Sequence, residues 1–413
     1  MLHSLLGLFV LIFTGWLLSS SRRAVPWRML LGGVALQFAI AGLMLKVPAF
    51  SGLFMALNKV VLGMEEATRA GTSFVFGYLG GGPVPFPEPK PGQSFILAFQ
   101  ALPLVIVIGA LTSLLFYWRI LPHVVRGFSW VLSKTMGLGG ALGVAAGGTI
   151  FLGMIEAPLL IKPYLTRLTP SEMFALMATG LSCIAGTMLM LYAAVLGPVI
   201  PDALGHILTA SVIHAPAALA MAALMLPESG KPTLGREIPP SPATGSMDAV
   251  ARGTWDGLQL YLNILAMLIV FLALVKIVNL GLGSAPDLWG APLTLQRILG
   301  WVMSPVAWLI GVPWAEAQTA GSLLGTKIVL NEFIAFIDMA NLPPDALCPR
   351  SRLILTYAMC SFANLGSVGI IIGGLGALCP ERRAEVANMG LKALAAGALA
   401  SLMTGAVVGV LFP

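Results

Sequence analysis

Residues 147–160 read GGTIFLGMIEAPLL, and an undisturbed membrane helix would not carry that mixture. Leu, Ile and Phe flank an acid on both sides, yet the same stretch holds a Gly-Gly pair, a further Gly and a Pro. Glu156 followed by Ala157 and Pro158 reads as a break in a helix with a carboxylate at the break. Free backbone groups at membrane depth are tolerated only where protein or a wet cavity covers them. An ionisable side chain in that position is a functional candidate by default. The competing reading, a short aqueous loop with an ordinary surface Glu, fits poorly with the apolar residues around it.

The rest of the chain supports the membrane reading. Of its 413 residues 58% are hydrophobic and 10% charged, and mean hydropathy is +0.92. Soluble domains carry roughly 25% charged residues, so an ordinary soluble enzyme is excluded and a polytopic membrane protein remains. The 47 Gly and 29 Pro suit broken helices better than plain ones. The net charge of +6 is no sign of nucleic-acid binding, because the basic residues sit in short segments between apolar runs, where topology accounts for them. Cys183, Cys348, Cys360 and Cys379 are widely spaced, which points to neither a disulfide framework nor a zinc site. The first apolar run, residues 2–18, lacks an A-x-A-type cleavage site and reads as a retained helix.

Helix one is expected at about 5–20. Arg22, Arg23 and Arg28 follow and place that turn inside and the N-terminus outside. Helix two covers about 29–47. An amphipathic stretch, 53–72, with Glu65, Glu66 and Arg69 is expected to lie on the outer surface, and GGGPVPFPEPKPG is a Gly/Pro loop. Helix three spans about 95–118. Residues 120–136 are too short and too basic to cross, so they are read as interfacial. Residues 137–164 begin and end beside inner-type charges, which predicts a re-entrant hairpin with its tip in the membrane. Helix four starts at the LTPSE cap and runs to about 199 with SCIAGT at its centre. Helix five covers 207–225, the linker 227–246 and helix six 255–280.

The plan then repeats. Residues 293–310 are amphipathic with Arg297. Residues 314–340 are apolar and broken, and carry Lys327, Asn331 and Glu332. Residues 353–375 form a span with FANLGS at its centre, and 389–408 form the last span. The order of interfacial helix, acid-bearing hairpin, polar-centred helix and plain helix therefore occurs twice, after an odd number of crossings. The expected fold is an all-α polytopic membrane protein: an inverted repeat with two re-entrant helical hairpins, eight transmembrane helices and interfacial helices. In such transporters the site lies at the midplane, where interrupted segments meet.

Glu156 and Glu332 are therefore expected to face each other. FANLGS adds Asn364 and Ser367, and SCIAGT adds Ser182, Cys183 and Thr187. Unpaired polar groups in hydrocarbon cost several kcal/mol each, and a neutral, hydroxyl-rich solute with a flat apolar part resting on Phe362 would satisfy them. The plainer alternative is that Asn364 and Ser367 only bind helices together.

The segments GMIEAPLLIKPYLTRL with LTPSE, IAGT, GTKIVLNEFIAF and SFANLGSVGIIIGGLGAL resemble the concentrative nucleoside transporters over nearly the whole chain. The resemblance implies a multi-pass protein of the bacterial inner membrane, both termini outside, assembled as a homotrimer in the lipid bilayer. Residues 1–118 and 247–285 would form a scaffold. Residues 119–246 and 286–413 would form a transport domain that moves across it like an elevator. The family's sugar contacts carry over onto Glu332, Asn364 and Ser367, its base-side acid onto Glu156 and its aromatic contact onto Phe362, with Met188 in the same substrate site. The family usually reads Gly-Gln-Thr/Ser-Glu where this chain has Gly153, Met154, Ile155 and Glu156, so two base-reading groups are replaced by apolar ones. Sodium-coupled members have Asn in place of Thr149 and Ser in place of Cys183. The carbonyls of Leu152 and Ile184 remain as ligands, but a thiol is a soft donor and Na⁺ is a hard cation. No cofactor is implied beyond a coupling ion, H⁺ or Na⁺.

Two expectations follow. The ribose is gripped by Glu332, Asn364 and Ser367, while the base rests on Met154, Ile155 and Phe362 with relaxed choice. The coupling ion is H⁺, carried on Glu156 or Glu332, since removal from water favours the neutral form of a carboxyl group. The alternatives are a sensor or scaffold that keeps the fold without transport, a transporter of a modified nucleoside-like solute, and an intramembrane enzyme using His123, His206 and His214. The histidines are expected near helix ends, and no H-E-x-x-H or paired-Asp signature exists. Lys276 reads as a snorkelling residue. Lys327 is open between pairing with an acid and reaching the outer interface.

Overall fold

A computed structural model describes residues 2–46, 48–86, 94–233, 241–284, 286, 288, 290 and 292–412, and its regular structure is helical. The first helices are α1 (Leu2–Leu17), α2 (Trp27–Lys46) and α3 (Pro48–Phe76). Part of the expected Gly/Pro loop and of the linker, residues 87–93 and 234–240, lies outside the described residues. The expected third span is cut into α4 (Leu97–Gln100) and α5 (Leu104–Tyr117) at Pro103, which has no N–H to continue the ladder. α6 (Ile120–Met136) is set off by left-handed residues at both ends, Arg119 with φ 62° and Gly137 with φ 74°.

The first hairpin is α7 (Gly140–Thr149) and the short α8 (Glu156–Leu159). Ten residues of helix reach roughly 15 Å, half of a hydrocarbon core, so the chain turns back at the Glu156 break as the sequence predicts. The expected helix four is two helices, α9 (Pro170–Ser182) and α10 (Gly186–Leu196), separated by extended backbone at Cys183 and Ala185. α9 begins at a capping box in which Thr169 and Glu172 exchange backbone hydrogen bonds. Glu172 also accepts from the N–H and hydroxyl of Thr233 at 2.8 and 2.6 Å, tying down the start of the linker. α11 (Ala203–Met225) and α12 (Ser246–Leu282) close the first half.

The second half contains α13 (Leu295–Leu309), α14 (Trp314–Val329), α15 (Glu332–Asn341), α16 (Pro349–Met359), α17 (Leu365–Leu378) and α18 (Arg383–Leu411). α13 and α14 meet at 118°. The expected span 353–375 is likewise two helices, α16 and α17. In both repeats the small and polar residues that seemed to sit mid-helix are the break itself. Among the described residues, four helical stretches are long and apolar enough to cross a membrane: Trp27–Leu45, Leu97–Tyr117, Ala203–Met225 and Pro380–Leu411. The other four expected crossings are the short α1, the broken pairs α9/α10 and α16/α17, and α12.

α11 is apolar on every side and almost wholly buried, and so is the second half of α18, from Gly397 to Gly409, as all-round hydrophobic helices must be. They form the centre: α18 packs on α9, α11 and α16, and α11 packs on α2 and α9. The order α6 to α11 is matched by α13 to α18, as expected of a repeat.

The repeat extends to its packing. The first arm of each hairpin presents two glycines four residues apart to its interfacial helix. A Cβ on Gly147 would lie 2.9 Å from the Val125 carbonyl oxygen, and one on Gly143 2.5 Å from Ser133 Oγ. A Cβ on Gly321 would lie 2.6 Å from the Gly300 carbonyl oxygen, and one on Gly325 2.4 Å from Leu299. A third such seam joins α12 to α5, where Gly253 and Gly257 meet the backbone of Gly109 and Ile106. Small residues at this spacing let helix backbones touch where apolar burial offers no drive for association in lipid. Gly321→Ala is therefore expected to lower thermal stability of the purified protein by about 1–3 kcal/mol, the usual cost of overpacking. Gly373, within α17, has nothing within 4 Å of its Cβ position, so Gly373→Ala is expected to be neutral or stabilising; equal losses in both variants would contradict the seam.

Candidate functional site

Two helix starts carry the polar residues of the second repeat. Asn331 caps α15 by accepting from Ile334 N–H at 2.9 Å, and Asn364 caps α17 by accepting from Ser367 N–H at 2.8 Å. Each cap satisfies one of the donors that a helix start leaves free. Glu332 is the first residue of α15, and its Oε2 accepts from Asn364 Nδ2 at 3.0 Å. Its Oε1 accepts from the Tyr192 hydroxyl at 2.6 Å. Glu332, Asn364 and Ser367 are all buried, at a point where positive helix N-termini converge on an acid. The Ser367 side chain makes no hydrogen bond among the described residues, so its hydroxyl is free for a ligand. Phe362 is half-buried beside them in sequence.

The first hairpin places its acid differently. Glu156 lines a cavity of about 1190 Å³ between the hairpin and the α5–α12 pair, along with Phe151, Gly186, Thr112, Trp255 and Asp256. Gly186, at the start of α10, gives its N–H to the Phe151 carbonyl at 2.9 Å. Hairpin and helix start are thus joined there. Glu332 is not on the cavity wall. Tyr192, which binds it, lies six residues along α10 from Gly186, roughly 9 Å of helix. The expected face-to-face pair of acids is therefore not seen in this arrangement. Glu332 is closed in by Tyr192 and Asn364, and Glu156 fronts the cavity. Met154 is buried against Gly180, and Ile155 packs on Gly374 of α17. Met188 is buried on the same turns of α10 that lead from the cavity to Tyr192. The Thr187 side chain lies outside the described residues.

The corner where a sodium site would stand is satisfied internally. Thr149 gives its hydroxyl proton to the Ala146 carbonyl at 2.8 Å, with Cys183 Sγ 3.7 Å away. Cys183 faces the Ser211 carbonyl at 3.7 Å, and Ser211 Oγ donates to the Ile150 carbonyl at 3.0 Å. Ile150, Cys183, Val212 and Ala215 pack together as an apolar cluster with Phe128 and Phe151. Leu152 and Ile184 are buried beside it. A hard cation needs several oxygen ligands aimed at one point, and the Cys183 thiol is a soft donor in this corner.

The histidines are separate. His123 bonds the Arg119 carbonyl, His206 lies 3.0 Å from the Tyr357 hydroxyl, and His214 lies 3.1 Å from the Tyr357 carbonyl. His214 does not lie near a helix end as expected. It is fully buried in the middle of α11, where the buried carbonyl of Tyr357 near the end of α16 gives it a partner. No group of three or more His, Cys, Asp or Glu that could hold a metal occurs among the described residues. Lys327 is buried with its charge acting on Glu332, not at the outer interface. Tyr192 and Asp256 were not legible as site residues. Both sit in apolar or mixed helical runs without a motif.

Comparison with known proteins agrees with the fold and the motifs. A family model described as "Na+ dependent nucleoside transporter C-terminus" matches residues 206–409, its N-terminal counterpart matches residues 6–79, and a model described as "Nucleoside recognition" matches residues 98–199. The chain is 38% identical to an uncharacterized transporter of Haemophilus influenzae, over 99% of this chain and 97% of that protein. It is 32% identical to the nucleoside permease NupC of Helicobacter pylori, over 99% and 97%. The structure of CNTnw in an inward-facing substrate-bound state superposes with a TM-score of 0.92 at 36% identity, covering 100% of this chain and 99% of that one. The chain belongs to the concentrative nucleoside transporter family, multi-pass membrane transporters and not enzymes.

Proposed function

We propose that the protein imports nucleosides across the bacterial inner membrane, with both termini outside, as a homotrimeric elevator coupled to protons. The observation that carries the substrate reading is the Glu332–Asn364–Ser367 cluster at the starts of α15 and α17. It presents a carboxylate acceptor, an amide and a free hydroxyl in one buried place, which suits the several hydroxyls of a ribose. Residues 119–246 and 286–413 form the moving domain in this reading, and residues 1–118 and 247–285 the scaffold. The cavity between hairpin and α5–α12 is the interface along which they slide.

Proton coupling rests on two features. The Thr149–Cys183 corner pairs a hydroxyl with a soft thiol, a poor ligand set for a hard cation such as Na⁺. Glu156 stands on the wall of a cavity large enough for water, where a proton can be gained or lost. Asp256 shares that wall, and two carboxylates in one space repel unless one is neutral. Glu156 is therefore the favoured carrier over the enclosed Glu332.

In liposomes holding the purified protein, nucleoside uptake is expected to follow a pH gradient and to ignore a Na⁺ gradient. Glu156→Gln is expected to remove the pH response, since an amide carries no proton. Uptake that follows Na⁺ alone would overturn proton coupling, and binding without counterflow exchange would favour a non-transporting sensor.

Met154 and Ile155 stand where base-reading groups are usual, and the structure packs both against helices. With Glu156 as the remaining polar reader, discrimination among bases is expected to be weak, a few-fold across a purine and pyrimidine panel, roughly 1 kcal/mol. Met154→Gln with Ile155→Thr is expected to sharpen base preference while ribose preference stays within about twofold of the parent. An equal change in sugar preference would show that these positions do not read the base.

A further inference from the structure

We propose that Tyr192 is a positioning residue for sugar recognition, holding the Glu332 carboxylate in the plane from which it reads a ribose hydroxyl. The inference deepens, and rests on, the nucleoside reading above. Tyr192 lies on α10 in the first repeat and is fully buried. Its hydroxyl donates to Glu332 Oε1 at 2.6 Å, a short distance typical of a hydrogen bond to an ionised acceptor. Its ring is held by the helix that carries Glu332. Phe333 stacks on it with centroids 6.1 Å apart and planes at 23°, and Phe336 lies against it at 5.1 Å and 59°.

The other carboxylate oxygen is fixed from the opposite repeat. Asn364 Nδ2 donates to Oε2 at 3.0 Å, while the Asn364 carbonyl is anchored to Ser367 N–H. Each oxygen thus has one protein donor, and an ionised carboxylate has about four lone-pair sites. The remaining acceptor directions accept from no other side chain among the described residues and are held in a defined plane. A Glu side chain without these donors would spread over several rotamers, and a sugar hydroxyl would have to order it on binding. The phenol supplies that order in advance, and the two phenylalanines keep the phenol from turning away. Lys327 adds charge near the same carboxylate but no direction, because it makes no hydrogen bond to it among the described residues.

The test is binding by purified protein of uridine and adenosine together with their 2′-deoxy and 3′-deoxy forms. Tyr192→Phe keeps the ring and its two aromatic contacts and removes only the donor. It is expected to weaken both ribosides about tenfold, about 1.4 kcal/mol. The analogue lacking the hydroxyl that Glu332 reads is expected to change by less than about twofold. The ratio of riboside to deoxy affinity therefore falls. In a Glu332→Gln background the same Tyr192→Phe change is expected to leave that ratio where it is. Equal weakening of ribosides and every deoxy form would show a merely structural tyrosine and overturn the proposal, as would unchanged or tighter binding of ribosides. If the parent protein itself does not distinguish ribosides from either deoxy form, the sugar site has been misassigned and the role of Tyr192 falls with it. Should Tyr192→Phe fail to fold, Phe336→Leu loosens the clamp but keeps the hydroxyl. The ratio is then expected to fall by a smaller factor, and an unchanged ratio counts against the proposal.

Discussion

A helix that stops inside a bilayer leaves peptide groups that neither lipid nor water can satisfy. Among the described residues this chain breaks its helices within each hairpin and within the helix pair that follows each, and the structure is the set of answers it finds. In the second repeat the answer is asparagine, once at Asn331 and once at Asn364, each folding back onto the new helix. In the first repeat it is mutual: Gly186 N–H is taken by Phe151 of the neighbouring hairpin. Once the ends are satisfied, their exposed positive poles make a place for negative and polar groups. The buried carboxylate of Glu332 sits on such a pole.

Holding broken helices in register requires rigid neighbours. The glycine seams supply them, since each hairpin arm sets one glycine against interfacial-helix backbone, Gly147 at Val125 and Gly321 at Gly300, and one against a side chain, Gly143 at Ser133 and Gly325 at Leu299. The same spacing of Gly143 with Gly147 and of Gly321 with Gly325 means that both repeats solve the problem identically. The sequence identity between the halves is slight, so what the repeat preserves is where bulk is forbidden.

Much of this could be read before the fold was seen. Pro158 beside Glu156 marked the first hairpin, the basic flanks marked its re-entry, and LTPSE marked the start of α9. The breaks within SCIAGT and FANLGS were harder. Thr, Ser and Cys are compatible with a helix interior, and only the three-dimensional closeness of the second hairpin reveals that Asn364 caps a new start. Tyr192 left no trace in the sequence, because an aromatic in the apolar run GTMLMLYAAVL looks like ordinary packing. Its meaning comes from a residue 140 positions away. Asp256 was invisible for the same reason. The cavity that gives it a role is walled by four separate segments of the chain.

The junction of α5 with α12 bears on motion. Gly109, Gly253 and Gly257 bring two long helices so close that neither can bow without the other. The pair behaves as one stiff beam. The adjoining hollow is therefore bounded on this side by two helices in direct backbone contact.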